Sequence, residues 1–392
     1  MDKKIDIKLN SSTDEIMSVW EIQDLLKNLG NNYYKLNLVV EINKMIYNGV
    51  DPDNIVVFNE SFDFKTSFSY LKEIPIIDID EVTGAKQFYH LGEFTSIFPN
   101  TDVVEINAIC KLFREINSYL FKRKSLFMEI KLLNKDRICE YFKLSTVDAC
   151  NIIKQKAIGR ILKLNIDKSY KDTYKNEINL IVEKYLKEID AFKIDIKEIN
   201  DLKKDILENN IIELSDKRTL KFNKFYERLQ SLERPIVGTF NADYSSIEIL
   251  CTDFICKETR NKYFLDLKNF SHNSPTMVYL GIGMIFTLVA VPLLKQIKDG
   301  IEESITYEKD GNVVKDKEES IEKLNNTIKN LEDEENLNNL NLYNNIENNF
   351  IRSSILNAKD DIINKTIENI TYYNFANDKV DCNVIEFTPR NK

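Results

Sequence analysis

The chain has two histidines in 392 residues, ten glycines, seven prolines and one tryptophan. Each scarcity closes off a class of chemistry. His90 and His272 stand far apart, and the six cysteines at 110, 139, 150, 251, 256 and 382 form no CxxC pair, so no zinc-ligand set is supplied. Scattered cysteines suit reduced, mostly buried thiols better than a secreted disulfide framework. Few glycines mean few phosphate-cradling loops, and "GIG" at 281–283 does not complete GxGxxG. His90 follows Tyr89 and precedes Gly92 and Glu93 with no Ser or Cys arrangement for nucleophilic catalysis, which leaves a packed or exposed histidine. The opening "MDKKIDIKLNSSTDE" lacks an apolar core and a small-residue cleavage site, so no secretory signal is expected and the N-terminal region is placed in the cytoplasm.

What is present is a globular composition, 43% hydrophobic and 30% charged, long enough for two or three domains. The net charge of −9 argues against a general nucleic-acid coat protein. That charge is unevenly spread. Residues 111–171 carry 15 Lys and Arg against 6 Asp and Glu, whereas residues 296–392 carry 12 against 20, with eight Asn between 336 and 349.

Periodicity predicts an α+β module over 1–100. Ile5, Ile7 and Leu9 alternate as in a strand, Ser12 and Glu15 have capping-box spacing ahead of a helix closed by Gly30, and a second helix is expected over about 33–47. "NIVVF" (54–58) and "IPIIDIDE" (74–81) read as strands. A basic helical region is expected over 101–233, a short β-rich segment over 234–272, and an acidic Asn-rich helical tail over 296–392 whose Ile321, Leu324, Ile328 and Leu331 have helical spacing.

Between segment and tail lies "TMVYLGIGMIFTLVAVPLLK" (276–295), with no charge between Lys268 and Lys295. As a helix, its apolar part would be about 28 Å long, close to the roughly 30 Å hydrocarbon core of a bilayer. A single transmembrane helix over 273–295 is therefore expected, with a fully buried helix as the other reading. Gly281, Gly283 and Thr287 are its candidate packing or pore-lining positions. Lys257, Arg260, Lys262 and Lys268 precede it and Lys295, Lys298 and Lys309 follow, a slight bias toward an inner-membrane protein with its N-terminal region inside.

Two groups of polar residues could carry chemistry. Asp78 and Asp80 share a strand face, as carboxylates of a two-metal nucleotidyltransferase do, but no Gly-Ser helix start lies upstream and a polar strand edge explains them as well. In the basic span, Lys122, Arg123, Lys124, Lys131, Lys135, Arg137, Lys154, Lys156 and Arg160 are interleaved with aromatic residues such as Tyr119, Phe121 and Tyr141. Phosphate neutralisation with aromatic stacking would hold a nucleotide or single-stranded oligonucleotide. Solvated helix faces are the alternative, and a helix-turn-helix over 136–162 lacks a Gly in its turn. No catalytic residue, metal or cofactor is assigned.

The order of these parts, a mixed cytoplasmic region with a basic stretch at 111–171, then "MVYLGIGMIFTLVAVPLL", then a helical tail, resembles the membrane effector of the bacterial antiphage Hailong defence system. No residue motif carries the resemblance, so no ligand residue is transferred. It implies a homo-oligomeric membrane channel held inactive by oligodeoxyadenylate from a partner nucleotidyltransferase, whose opening arrests growth or kills the cell. The expectation is thus a non-enzymatic, ligand-gated membrane effector. A membrane-anchored scaffold and a membrane-tethered nucleotide-processing enzyme are the alternatives.

Overall fold

The computed structural model describes residues 5–10, 18–62, 68–72, 75–124, 130–208, 220–252, 266–271, 277–282, 287–308, 310–337, 349–372 and 385–389. In chain order they form β1 (Ile5–Asn10), α1 (Val19–Tyr47), β2 (Ile55–Ser61), β3 (Ile76–Asp78), α2 (Val82–His90), β4 (Phe94–Ser96) and α3 (Thr101–Lys124). Then come α4 (Cys139–Phe142), α5 (Thr146–Leu162), α6 (Lys168–Leu207), α7 (Leu220–Ser231), β5 (Pro235–Phe240) and β6 (Ser246–Ile249). The remainder is β7 (Asp266–Ser271), β8 (Met277–Ile282), α8 (Thr287–Ile305), α9 (Gly311–Leu337), α10 (Asn349–Tyr372) and β9 (Ile385–Pro389). The chain is largely helical, with two small antiparallel sheets.

Contacts divide the chain into two compact units. One comprises Met1–Asn48, Asp253–Glu347 and Ile351–Lys392, and the other Gly49–Thr252 with Asn348–Phe350. The first holds a sheet of order β7-β8-β1-β9. Its β1 pairs on both edges, from Ile5 opposite Ile282 to Asn10 opposite Met277, and from Ile5 opposite Pro389 to Leu9 opposite Ile385. The expected helices before and after Gly30 are one continuous α1. Gly30 has open space around it and costs the helix only about 1 kcal/mol against Ala. Its capping box is Ser18 with Glu21, one helical turn and a half later than Ser12 and Glu15, which lie outside the described residues.

The expected transmembrane helix over 273–295 is not formed, and no described helix is long and apolar enough to cross a membrane. The apolar run is divided between two secondary structures. Met277–Ile282 is β8, whose backbone groups pair with β1 on one side and β7 on the other. The helix begins only at Thr287, contains Pro292 and runs on through Lys295, Lys298, Asp299, Glu302 and Glu303 to Ile305. Leu288, Val289, Ala290, Val291, Leu293 and Leu294 are buried, and Lys295 pairs with Glu332 of α9 at 2.7 Å, so the hydrophobicity fills a core. On α9 the stripe read from the sequence supplies the buried Leu324, Ile328 and Leu331. Of the candidate membrane-packing positions, Gly281 faces Asp6 and Asp266 in the sheet register, Thr287 is buried at the start of α8, and Gly283 lies outside the described residues.

The second unit has a sheet of order β3-β6-β5-β2-β4. Every residue of β5 is buried, as are the first four of β2. Phe88 of α2 centres its aromatic core, with ring centroids 5.4 Å from Phe94, 5.9 Å from Phe58 and Phe240, and 6.0 Å from Phe142. Beside the sheet, α3, α5 and α6 pack on one another. The forty-residue α6 presents Ile178, Val182, Tyr185 and Ile189 to this layer at helical spacing. Polar pairs fix its position along α3: Tyr185 donates to Glu115 at 2.7 Å, and Lys193 meets Glu105 at 3.2 Å.

Because Leu294 is core rather than lipid-facing, Leu294→Ala is expected to destabilise the first unit by about 2–5 kcal/mol. Chemical denaturation of the full chain measures this, and a change within 0.5 kcal/mol, as for a surface substitution, would contradict the burial.

Candidate functional site

The basic residues are spread over several places. Lys122, Arg123 and Lys124 form the last turn of α3, where cations complement the helix dipole. Arg123 is engaged there: its guanidinium lies 3.5 Å from the Tyr119 ring centroid and 5.0 Å from that of Tyr174, and it pairs with Glu177 of α6. Tyr119 donates to the same carboxylate, and burial followed by this bond pushes its phenol well above the ordinary value. These contacts bind α3 to α6. Lys131 is exposed, Lys135 lies 5.5 Å from the Tyr89 ring, and Lys154 is half-buried on α5.

Arg137, Lys156 and Arg160 do come together, around a cavity of about 290 Å³. Lys163 and Asn134 join them, with Leu133, Tyr141 and Gly159 completing the lining. The site is built by local capping. Buried Asn117 of α3 accepts from the Leu133 N–H at 2.8 Å and donates to the Leu133 carbonyl at 3.4 Å, pinning the returning chain. Asn134 then accepts from the Asp136 N–H and starts the single 3₁₀ turn Lys135–Arg137. Tyr141 packs on Phe113 at 5.8 Å and Phe142 on Phe88, so α4 is fastened to both the helical layer and the sheet core. Ser145 caps α5 by accepting from Asp148 N–H at 3.2 Å.

Charge in the cavity is strongly one-sided. Arg137 donates to Glu140 at 2.6 Å, a bond that holds the Glu140 carboxyl below the ordinary carboxylate range. Lys156 donates to the Tyr141 hydroxyl at 3.0 Å and lies 3.8 Å from the other Glu140 oxygen. Arg160 and Lys163 form no ion pair among the described residues. The carbonyl end of α5 is itself covered, since Lys171 donates to the Leu162 carbonyl at 3.1 Å. Among the described residues, four cations face one paired carboxylate on a frame held by caps, a charge balance suited to an anion. Lys163 was legible in principle: Lys156 and Arg160 of α5 and its C-cap Lys163 follow i, i+4, i+7 spacing.

Asp78 and Asp80 are arranged as a turn. The Asp80 N–H donates to Asp78 Oδ1 at 2.9 Å, and Lys143 is 3.7 Å from Asp80. Gly84 lets α2 close against this turn, for a Cβ there would lie 1.7 Å from the Asp78 carbonyl oxygen. No three His, Cys, Asp or Glu side chains could share a metal ion among the described residues. The thiols of Cys110 and Cys150 are pushed up by burial to about 12 and about 11, which keeps them protonated and weakly reactive.

No family model matches the chain, and neither curated proteins nor solved structures include a significantly similar one.

His90, at the end of α2, titrates below its ordinary 6.5 because its ring is desolvated and then because Lys135, Lys86 and Arg114 repel a proton there. A lowered folded value means a contribution complete above 6.5 and lost as pH falls below it. His90→Gln is expected to flatten the fall of the thermal midpoint between about pH 7 and about pH 5. Unchanged steepness in thermal melts across that range would show that His90 does not contribute.

Proposed function

We propose that the chain is a ligand-controlled effector that binds a phosphate-bearing molecule, a nucleotide or short oligonucleotide, in the basic cavity between α4 and α5. The supporting observation is the convergence of Arg137, Lys156, Arg160 and Lys163 on one cavity, where Glu140 is the one acid paired with them among the described residues. Arginine forks suit phosphate oxygens geometrically, and lysines add compact charge. The frame also gives binding a route to the rest of the unit. An anion bridging the 3₁₀ turn and α5 would tighten two segments that are each fastened to α3, and it would shift any equilibrium in which they move apart.

The effector role in antiphage defence, with a partner nucleotidyltransferase supplying oligodeoxyadenylate, rests on the parts of the resemblance other than its membrane helix: a mixed region with a basic span, followed by a helical tail. Conductance through residues 276–294 is not carried forward, because strand β8 and the core of α8 occupy that stretch.

Arg160→Ala with Lys163→Ala is expected to weaken binding of a nucleoside triphosphate by at least about tenfold, since bonds to charged groups contribute about 1.5–3 kcal/mol each. The thermal midpoint should hold, because neither side chain is in an ion pair among the described residues. Lys124→Ala, at the end of α3, serves as the control and should bind like the parent. Equal affinity of the double variant and the parent in calorimetric titration would refute the site.

A further inference from the structure

Among the described residues the cavity offers a ligand cations, an amide and backbone, but no open ring. Tyr141 is the one aromatic residue among its described lining, and its 2% exposure leaves no face for a base to cover. Its ring lies against Phe113, and Lys156, 3.0 Å from the hydroxyl and 4.8 Å from the ring centroid, sits past the oxygen rather than over the ring. Of the described rings of the basic span, the exposed Phe121 and Tyr170 belong to α3 and α6 and do not line the cavity. Stacking, the usual sequence-tolerant contribution to single-strand binding, is therefore not supplied by the described residues of this site. At about 290 Å³ the cavity also lies at the lower edge of the roughly 300–1,000 Å³ that drug-sized ligands fill, so it suits part of a nucleotide better than the whole.

One acid already lies among the cations. Glu140 reaches Arg137 with one carboxylate oxygen and lies near Lys156 with the other, the position a phosphate oxygen would take between them. Both members of the Arg137–Glu140 pair are about half exposed, and such pairs contribute only about 0.2–1 kcal/mol, so an incoming dianion can replace the carboxylate. We propose that the cavity reads the phosphate chain of its ligand and not the base, with Glu140 as the internal counterion that a phosphate displaces from Arg137. This rests on the reading of the cavity as a phosphate site.

Calorimetric titration of the full chain at fixed ionic strength, with ATP, CTP, tripolyphosphate, and octamers of deoxyadenylate and of deoxythymidylate, tests it. ATP and CTP should agree within about threefold, the two octamers likewise, and tripolyphosphate should bind within about tenfold of ATP. Glu140→Gln should tighten tripolyphosphate binding by about twofold to fivefold. A tenfold preference for one base, or nucleotide binding without tripolyphosphate binding, overturns base-blind recognition and leaves the phosphate site standing. Unchanged or weaker binding by Glu140→Gln overturns the counterion role. If none of these anions binds, the phosphate site itself fails along with both.

Discussion

A single buried amide positions most of the candidate site. Asn117 satisfies both the N–H and the carbonyl of Leu133, and leaving either buried group unpaired costs about 1–3 kcal/mol. With Leu133 fixed on α3, Asn134 is placed to start the 3₁₀ turn, Arg137 is aimed by that turn, and Tyr141 and Phe142 can reach the two layers that hold α4. The cations need no burial of their own to be organised. Their order comes from backbone caps beneath them, which is how an exposed charged site can be preorganised without the desolvation cost of buried ions.

The apolar stretch at 276–294 shows how a composition signal can be right about hydrophobicity and wrong about its destination. Nineteen residues without charge suffice to span a bilayer, but they serve equally as a strand paired on two sides followed by the first turns of a core helix. Periodicity cannot separate these cases when nearly every position is apolar. The β-branched and aromatic residues of "MVYLGI" and the paired edges of β1 decide for a strand. Elsewhere the sequence was more readable: the alternation of Ile5, Ile7 and Leu9 marks β1, the short β-branched run "NIVVF" marks β2, and the Leu324, Ile328, Leu331 stripe marks the buried face of α9.

Charge was legible as a regional excess and much less so as a site. The basic span contained the cavity, but six of its nine candidate residues point to helix ends, ring contacts or solvent, and no local count distinguishes them from Arg137, Lys156 and Arg160. Only the helical spacing along α5 carried positional information, and it reaches to Lys163. The far wall, from Leu133 to Tyr141, depends on Asn117, sixteen residues from its partner. Of the interleaved aromatics that suggested stacking, Tyr119 is drawn into the α3–α6 contact and Tyr141 beneath the cavity, while Phe121 stays exposed on α3.

The arrangement of β1 has a consequence for how the chain matures. Its partners begin at Met277 on one side and Ile385 on the other, so at translation rates of about 5–20 residues per second the strand waits on the order of tens of seconds for either edge. The contacts of the sheet-and-helix unit between them lie almost wholly within Gly49–Thr252. That unit can acquire its core on the ribosome while an alternating apolar strand stays unpaired behind it, open to edge-to-edge association with another nascent chain. Lys8, set between Ile7 and Leu9, is the kind of charge that discourages such pairing until the proper neighbours emerge.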